Sequence, residues 1–174
     1  PLHTRLLIDE ASLVRRLAHE NIVRVYDWGR DPATNSYFIM MEYLDGQDLD
    51  SYLSKHQRCE WAQVLKILLP VAHALQYAWD KHKLVHRDLK PSNLLLTQHG
   101  EVKLLDFGIS ARLRSHTNAG LSTTGFASTR SPHAGTAGYR APEAGRQQAQ
   151  YTPALDVYAM SVMIYQLLEG TLPF

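Results

Sequence analysis

The chain has 174 residues, of which 45% are hydrophobic and 20% are charged, so it has the composition of a globular protein with one core. Its 18 basic and 17 acidic residues are well mixed and give a net charge of +1, which provides no broad surface for nucleic acid or membrane lipid. No apolar run reaches the ~18 residues that a membrane-spanning helix needs. The single Cys59 cannot form an internal disulfide, which is typical of a reducing compartment.

The first part of the chain predicts a helix followed by a hairpin. Residues 6–17 carry apolar side chains at helical spacing between charged ones, as an amphipathic helix does. Residues 22–28 and 37–41 are short β-branched and aromatic runs, and the turn-forming residues 31–35 separate them. We therefore expect these two runs to pair as a β-hairpin.

The middle of the chain predicts two helices and a second hairpin. A short helix is expected near residues 48–54, and the apolar periodicity of residues 61–81 predicts a long one. Residues 94–96 and 102–105 read as strands, and the turn-forming residues 98–100 lie between them. We expect these strands to form a tight hairpin.

The last third predicts a long loop and an apolar helix. Residues 110–131 are rich in Ser, Thr, Gly and Arg without an apolar period, and loops of this length are usually functional. Thr152 is a good helix N-cap, and Pro153 suits the first helical position. We expect a helix from about residue 153 to 169 that is apolar on most sides, as buried central helices are.

Two short motifs flank the second predicted hairpin. Residues 86–93 read HRDLKPSN and precede its first strand, whereas residues 106–108 read DFG and follow its second strand. A tight hairpin would bring the two motifs together. A lone Asp or Lys on a loop is usually a turn, cap or solvated residue. The two motifs in this order and spacing, however, are typical of protein kinases.

On these motifs the chain resembles the eukaryotic-type (Hanks-type) serine/threonine protein kinases, from about residue 9 to residue 174. Lys90 and Ser92 in HRDLKPSN resemble the serine/threonine group rather than the tyrosine kinases. The resemblance implies an α+β, bilobal protein-kinase-like fold that is truncated. Its parts would be a partial N-lobe with the C-helix and two strands at 1–41, a hinge at 42–44, and a mostly helical partial C-lobe without its last helices at 45–174. The C-lobe would contain the catalytic loop 86–93, the DFG motif 106–108, the activation segment 106–143 and the central helix at about 153–169.

The resemblance also implies transfer of the ATP γ-phosphate to Ser and Thr hydroxyls of proteins, a reaction that needs positioning, a proton acceptor and cations. Asp88 would accept the proton, and Lys90 would stabilise the transferring group. Asn93 and Asp106 would supply hard oxygen ligands for Mg²⁺, with Mn²⁺ as an alternative. Gly108 would allow the sharp turn after the metal ligand.

The same resemblance places an adenine site around the hinge. Met41 would be the gatekeeper, the backbone of Glu42 and of Leu44 would hydrogen-bond adenine, and Leu95 would pack beneath it. Asp48 falls where an acidic residue often meets the ribose, but it could equally be a helix N-cap.

Glu10 lies nine residues before His19-Glu20-Asn21, which is the spacing of the family's C-helix glutamate. A solvated helix glutamate is the alternative.

Regulatory and structural roles follow from the resemblance as well. Arg87 would pair with a phosphate on the activation loop, where we favour Ser128, Thr129 and Ser131; the alternative is that these residues only keep the loop soluble. Thr136 would contact Asp88 and Lys90. The remaining positions with family roles are His86 and Phe107 in the two motifs, Glu143 in the Ala-Pro-Glu segment, and Asp156 as the buried aspartate that holds the catalytic loop through its backbone amides.

Residues 1–9 contain neither the family's Gly-rich loop nor its lysine, and the arginine partner of Glu143 is absent too. Because an unpaired buried carboxylate costs on the order of several kcal/mol, we expect the isolated chain to be poorly stable and weakly active or inactive. A pseudokinase that binds nucleotide or protein as a regulatory module is the alternative function.

The expected partners are protein substrates bearing Ser or Thr and a second copy for autophosphorylation, without nucleic acid or membrane contact from this segment. We expect a bacterial source and a cytoplasmic location, while the parent protein could still be anchored through a segment not present here.

Overall fold

The computed structural model describes residues 14–34, 37–107, 137–145 and 152–174. Most of the predicted helix at 6–17 and the whole predicted loop at 110–131 lie outside these ranges. So do six of the candidate site residues, namely Glu10, Gly108, Ser128, Thr129, Ser131 and Thr136.

The first predicted hairpin is confirmed: strands β1 (Val25–Arg30) and β2 (Tyr37–Met41) pair antiparallel. In the connecting turn, the Asp31 carboxylate accepts hydrogen bonds from the Thr34 hydroxyl at 2.7 Å and from the Ala33 amide at 2.9 Å. These bonds stabilise the charged form and lower the pKa of Asp31.

Strand β1 begins at Val25 and not at residue 22 as predicted, because the preceding residues pair elsewhere. The Asn21 carbonyl accepts a hydrogen bond from the Leu104 amide at 2.8 Å, and the Val23 amide donates to the Leu104 carbonyl at 2.9 Å. Ile22 thereby forms a parallel bridge with Leu104. This short segment ties the hairpin to the second sheet.

The second sheet has the strand order β3 (Gly46–Asp48), β4 (Leu94–Thr97) and β5 (Val102–Leu104), all antiparallel. Its β4–β5 hairpin confirms the second prediction. Strand β3 escaped sequence reasoning because three residues are too few to show a period of two. Gly46 is needed there, since a Cβ at this position would lie 2.3 Å from the Leu96 carbonyl oxygen.

Three α-helices lie within the described residues: α1 (Leu49–Lys55), α2 (Trp61–His82) and α3 (Ala154–Glu169). Helices α1 and α2 lie where the sequence predicted them. The apolar core joins all three helices to the second sheet, and its most completely buried side chains include Leu49, Ile67, Val71, Leu94, Met163 and Leu167. Among the helices that the structure describes, none is long and apolar enough to cross a membrane.

Helix α3 corrects two predictions. Pro153 and not Thr152 is its N-cap, and no side chain caps it. The first amides of the helix instead donate hydrogen bonds to the backbone carbonyls of Thr152 and Pro153. The helix is also less buried than its composition suggested. Ala159, Met163 and Leu167 face the core, but Val157 and Tyr165 on the other side are exposed in the part of the chain that the structure describes.

Candidate active site

The HRDLKPSN loop places Asp88, Lys90 and Asn93 side by side. The Lys90 Nζ lies 3.1 Å from the Asp88 Oδ2, and these side chains are only 19% and 15% exposed. The Asn93 Nδ2 donates to the Asp88 carbonyl at 2.6 Å, and the Asn93 amide donates to the Lys90 carbonyl at 3.0 Å within a short 3₁₀ turn. The loop therefore holds its polar side chains in one fixed cluster.

The hairpin brings this loop to the residues around Asp106, as the sequence predicted from its tight turn. The Leu105 amide donates to the Asn93 carbonyl at 2.8 Å, so Asn93 and Asp106 become neighbours. His86 is fully buried, and its Nε2 lies 2.8 Å from the Leu105 carbonyl oxygen. The His86 ring also packs against the Phe107 ring, with 5.0 Å between their centroids.

Asp156 on α3 anchors the start of the loop. Its carboxylate accepts a hydrogen bond from the His86 amide at 2.8 Å and another from the Arg87 amide at 2.9 Å. The side chain is almost completely buried, where hydrogen bonds from two amides offset the cost of removing its charge from water.

Two residues of the site have a left-handed backbone that non-glycine residues rarely adopt. Arg87 has a φ of 71° and Asp106 a φ of 53°. Each such conformation costs on the order of 1–3 kcal/mol and persists only where neighbouring contacts fix it. The amide hydrogen bond to Asp156 does so for Arg87, and the contacts of Leu105 and Phe107 on either side do so for Asp106. This strain was not predictable from the sequence.

The residues present fit a divalent cation held jointly with phosphate groups. Within residues 14–34, 37–107, 137–145 and 152–174 no group of three or more His, Cys, Asp or Glu could hold a metal alone. Asn93 and Asp106 bring one amide and one carboxylate oxygen donor, and Mg²⁺ is commonly bound by one or two protein ligands together with substrate phosphates and water.

The residues predicted to bind adenine lie on β2, in the segment 42–44, on β3 and on β4. A small cavity of about 10 Å³ has Ile39, Met41, Asp106 and Phe107 among its lining residues, so the expected gatekeeper and metal ligand border the same space. The Glu42 amide donates to the Arg24 carbonyl at 2.9 Å.

Two other expected adenine-site residues are engaged within the protein. Asp48 N-caps α1, with Oδ1 accepting from the Ser51 amide and Oδ2 from the Ser51 hydroxyl, both at 2.8 Å. The structure therefore has Asp48 as a helix N-cap, which was the alternative to a ribose contact. Leu95 is only 2% exposed, so it offers little surface to a ligand in this conformation.

Glu143 corrects the stability argument made from the sequence. Its side chain is exposed and not buried. The cost of an unpaired buried carboxylate therefore does not arise at this position, and the expected poor stability of the isolated chain loses its stated cause.

Sequence reasoning missed two interactions that join distant segments. The Glu42 carboxylate faces Lys103 of β5, with 3.9 Å between Oε1 and Nζ. The Tyr139 hydroxyl donates to the Gln166 Oε1, which ties the 3₁₀ turn at Ala137–Tyr139 to α3. Burial raises the pKa of Tyr139 to about 12. Neither pair carries a local sequence signal, because its members lie far apart in the chain.

Comparison with known proteins identifies the family. Residues 2–174 match the protein kinase domain model. The serine/threonine-protein kinase PrkC of Bacillus subtilis is 33% identical over 95% of this chain and 24% of its own length. PknL of Mycobacterium tuberculosis is 37% identical over 95% of the chain and 38% of its own length. Drp72 of Corynebacterium efficiens is 35% identical over 95% of the chain and 30% of its own length.

The chain belongs to the protein kinase domain family. This confirms the resemblance drawn from HRDLKPSN and DFG, and it confirms the α+β kinase fold. Members of the family use ATP and a divalent metal ion. The chain spans only 24% to 38% of the length of the three relatives named above, all of which are bacterial proteins.

Proposed function

We propose that the protein containing this chain is an ATP-dependent serine/threonine protein kinase, a transferase acting on Ser and Thr hydroxyls of proteins. The observation that carries the proposal is the joined cluster of Asp88, Lys90, Asn93 and Asp106. The names of its relatives support the same reaction. A module kept only for binding has no chemical need for all four side chains.

In the proposed reaction the substrate hydroxyl oxygen forms a bond to the γ-phosphorus of ATP, while the bond from that phosphorus to the bridging oxygen breaks and ADP leaves. Asp88 accepts the hydroxyl proton. Lys90, at 3.1 Å from the Asp88 carboxylate, balances its charge and stabilises the transferring phosphoryl group. Arg87 lies directly before Asp88 and is the proposed partner for a phosphate on the activation segment.

Asn93 and Asp106 are the proposed metal ligands. A divalent cation supplies charge neutralisation on the phosphates when it is bound. We propose Mg²⁺ as the working ion because the donors are hard oxygens, with Mn²⁺ as the alternative that the same donors accept. Activity measured with each ion after chelator treatment distinguishes the two.

For the adenine end we propose Met41 as gatekeeper and the backbone of Glu42 and Leu44 as the adenine partners. Glu10 remains the proposed C-helix glutamate, Thr136 a proposed contact of the catalytic loop, and Ser128, Thr129 and Ser131 the proposed phosphosites. The proposed substrates are proteins, including a second copy of the same protein, and the proposed location is the cytoplasm. Mixing wild-type enzyme with a differently sized, inactive Asp88→Asn protein tests whether one copy phosphorylates another.

The central experiment compares Asp88→Asn with wild type in the full-length protein. Loss of the proton acceptor should lower kcat for phosphorylation of a protein substrate by about 10²-fold or more. Asp80→Asn on the exposed side of α2 is the matched control and should leave the rate unchanged. A normal rate in the Asp88→Asn protein would refute the proposed mechanism.

A further inference from the structure

The partly exposed side chain of Glu42, in the predicted hinge, makes contacts that the proposed reaction does not use. Its Oε1 accepts a hydrogen bond from the Arg24 amide at 2.8 Å. The same oxygen lies 3.9 Å from the Lys103 Nζ, and the Glu42 and Lys103 side chains are only 23% and 15% exposed. Glu42 therefore links three segments of the chain through its side chain and its own amide.

An exposed ion pair elsewhere in the described chain provides a comparison for this arrangement. The Arg15 Nη1 lies 3.3 Å from the Asp27 Oδ1, which is a shorter distance, but these side chains are 50% and 56% exposed. Water and salt screen such a surface pair, so it contributes little. The Glu42 and Lys103 charges are mostly withdrawn from solvent and are screened less. The Glu42–Lys103 pair is therefore the stronger candidate for a functional role, although its charged atoms lie further apart.

Lys103 lies on the strand that leads to Asp106. Its neighbours on β5 are held by Asn21, whose Nδ2 donates to the Val102 carbonyl at 2.9 Å and whose carbonyl accepts from the Leu104 amide at 2.8 Å. Residues 21–24 are thus fixed to β5 at one end and to Glu42 at the other. Because the Glu42–Lys103 pair joins Glu42 directly to β5, residues 21–24, Glu42 and β5 are linked in a closed circle of contacts.

We propose that the Glu42–Lys103 pair is a positioning element that sets the spacing between the hinge backbone and Asp106, and thereby the affinity for ATP. The inference rests on the proposed function, in which adenine binds the hinge and the metal-bound phosphates bind Asp106. A nucleotide held at both ends is sensitive to the distance between them. Neither charged group touches the reacting atoms, so both residues act through the backbone that they hold.

The test measures KM for ATP, kcat and the calorimetric Kd for ATP in the full-length protein. Glu42→Gln retains an oxygen that can accept from the Arg24 amide but loses the charge, and Lys103→Met removes the other charge. Each change should raise KM and Kd about fivefold and leave kcat within about twofold. The double variant should resemble either single variant, because the second change has no interaction left to remove.

Three controls separate positioning from general damage. Lys103→Arg keeps the charge and should restore wild-type affinity. Arg15→Met and Asp27→Asn remove the exposed pair and should change neither KM nor Kd. Thermal unfolding of each variant identifies a fold defect. If Lys103→Met fails to fold, the affinities for ATP of Glu42→Gln and Lys103→Arg are compared instead: the inference requires weaker binding in Glu42→Gln and wild-type binding in Lys103→Arg.

Effects of the two substitutions that multiply in the double variant would overturn the inference, as would a fall in kcat at constant KM. A wild-type protein that binds ATP but transfers no phosphate would refute the proposed function instead, and the Kd measurements would still test the pair.

Discussion

The two ends of the proposed nucleotide site are held in different ways. At the phosphate end, the loop 86–93 is fastened to residues 105–107 and to α3 by buried hydrogen bonds and a ring contact. At the adenine end, the hinge depends on the Arg24 backbone and on one ion pair that spans 3.9 Å. On the proposed function, we therefore expect chemistry to depend on this rigid phosphate end and nucleotide affinity to be tuned at the adenine end.

This contrast predicts where substitutions act. Changes at the phosphate end should lower kcat or unfold the domain, because buried partners lose their hydrogen bonds together. Changes at the adenine end should alter the KM for ATP first. Two substitutions test the contrast and a third tests the packing of the Ala137–Tyr139 turn against α3, in order of decreasing expected effect.

Asp156→Ala should have the largest effect. It leaves the buried amides of His86 and Arg87 without their acceptor, so we expect the free energy of unfolding to fall by about 3 kcal/mol. Chemical denaturation of the full-length protein measures this. Asp80→Ala on the exposed side of α2 is the control, with an expected change within about 0.5 kcal/mol. Equal stability of the two variants would show that the phosphate end is not anchored through α3.

Substitution of Asp48 should have a smaller effect on stability, and this effect should be confined to α1. Asp48→Ala removes the N-cap and should cost about 1 kcal/mol of stability, whereas Asp48→Ser supplies another good capping side chain and should restore most of it. The KM for ATP of Asp48→Ser should stay within about twofold of wild type. A much larger KM in a stable Asp48→Ser protein would instead favour the ribose contact and would place a second strong interaction at the adenine end.

Substitution of Tyr139 should have an effect no larger than that of Asp48 at neutral pH. Tyr139→Phe leaves the Gln166 amide oxygen without its hydroxyl donor, at a cost of about 1 kcal/mol. Burial raises the pKa of Tyr139 to about 12 from the usual 10, so folding favours the neutral phenol. Its stabilising contribution is complete below pH of about 10 and is lost as the pH rises towards about 12.

The stability difference between wild type and Tyr139→Phe should therefore shrink over that alkaline range. Denaturation midpoints of the two proteins at several pH values measure it. The exposed Tyr26 provides the control, because Tyr26→Phe should leave stability nearly unchanged throughout. A difference between wild type and Tyr139→Phe that is constant with pH would contradict the burial of the Tyr139 hydroxyl.

The sequence predicted the phosphate end of the proposed site better than the adenine end. Asp88, Asn93 and Asp106 lie in two motifs whose order is informative, and the apolar runs on either side of residues 98–100 identified the hairpin that joins them. The Glu42–Lys103 pair could not be found in this way, since no local pattern links residues that meet only through the fold. Composition likewise misjudged α3, because an apolar residue such as Val157 does not show which neighbours will cover it.

Local backbone geometry was also beyond the sequence. A positive φ at Arg87 and Asp106 is imposed by their neighbours; Arg has no propensity for it, and the modest propensity of Asp does not single out Asp106 among the other Asp residues. The exposed position of Glu143 was missed for a similar reason, since it depends on tertiary packing, whereas β3 was too short to show a strand pattern.

The most direct test of the account is the dependence of ATP binding on Mg²⁺, measured by calorimetry in wild-type and Asp106→Asn proteins. If Asp106 is a metal ligand at the rigid end, Mg²⁺ should tighten ATP binding to wild type, and the substitution should reduce that gain by about tenfold or more. Binding of ATP without metal should be the same in both proteins. An identical gain from Mg²⁺ in wild type and Asp106→Asn would contradict the assignment of this site.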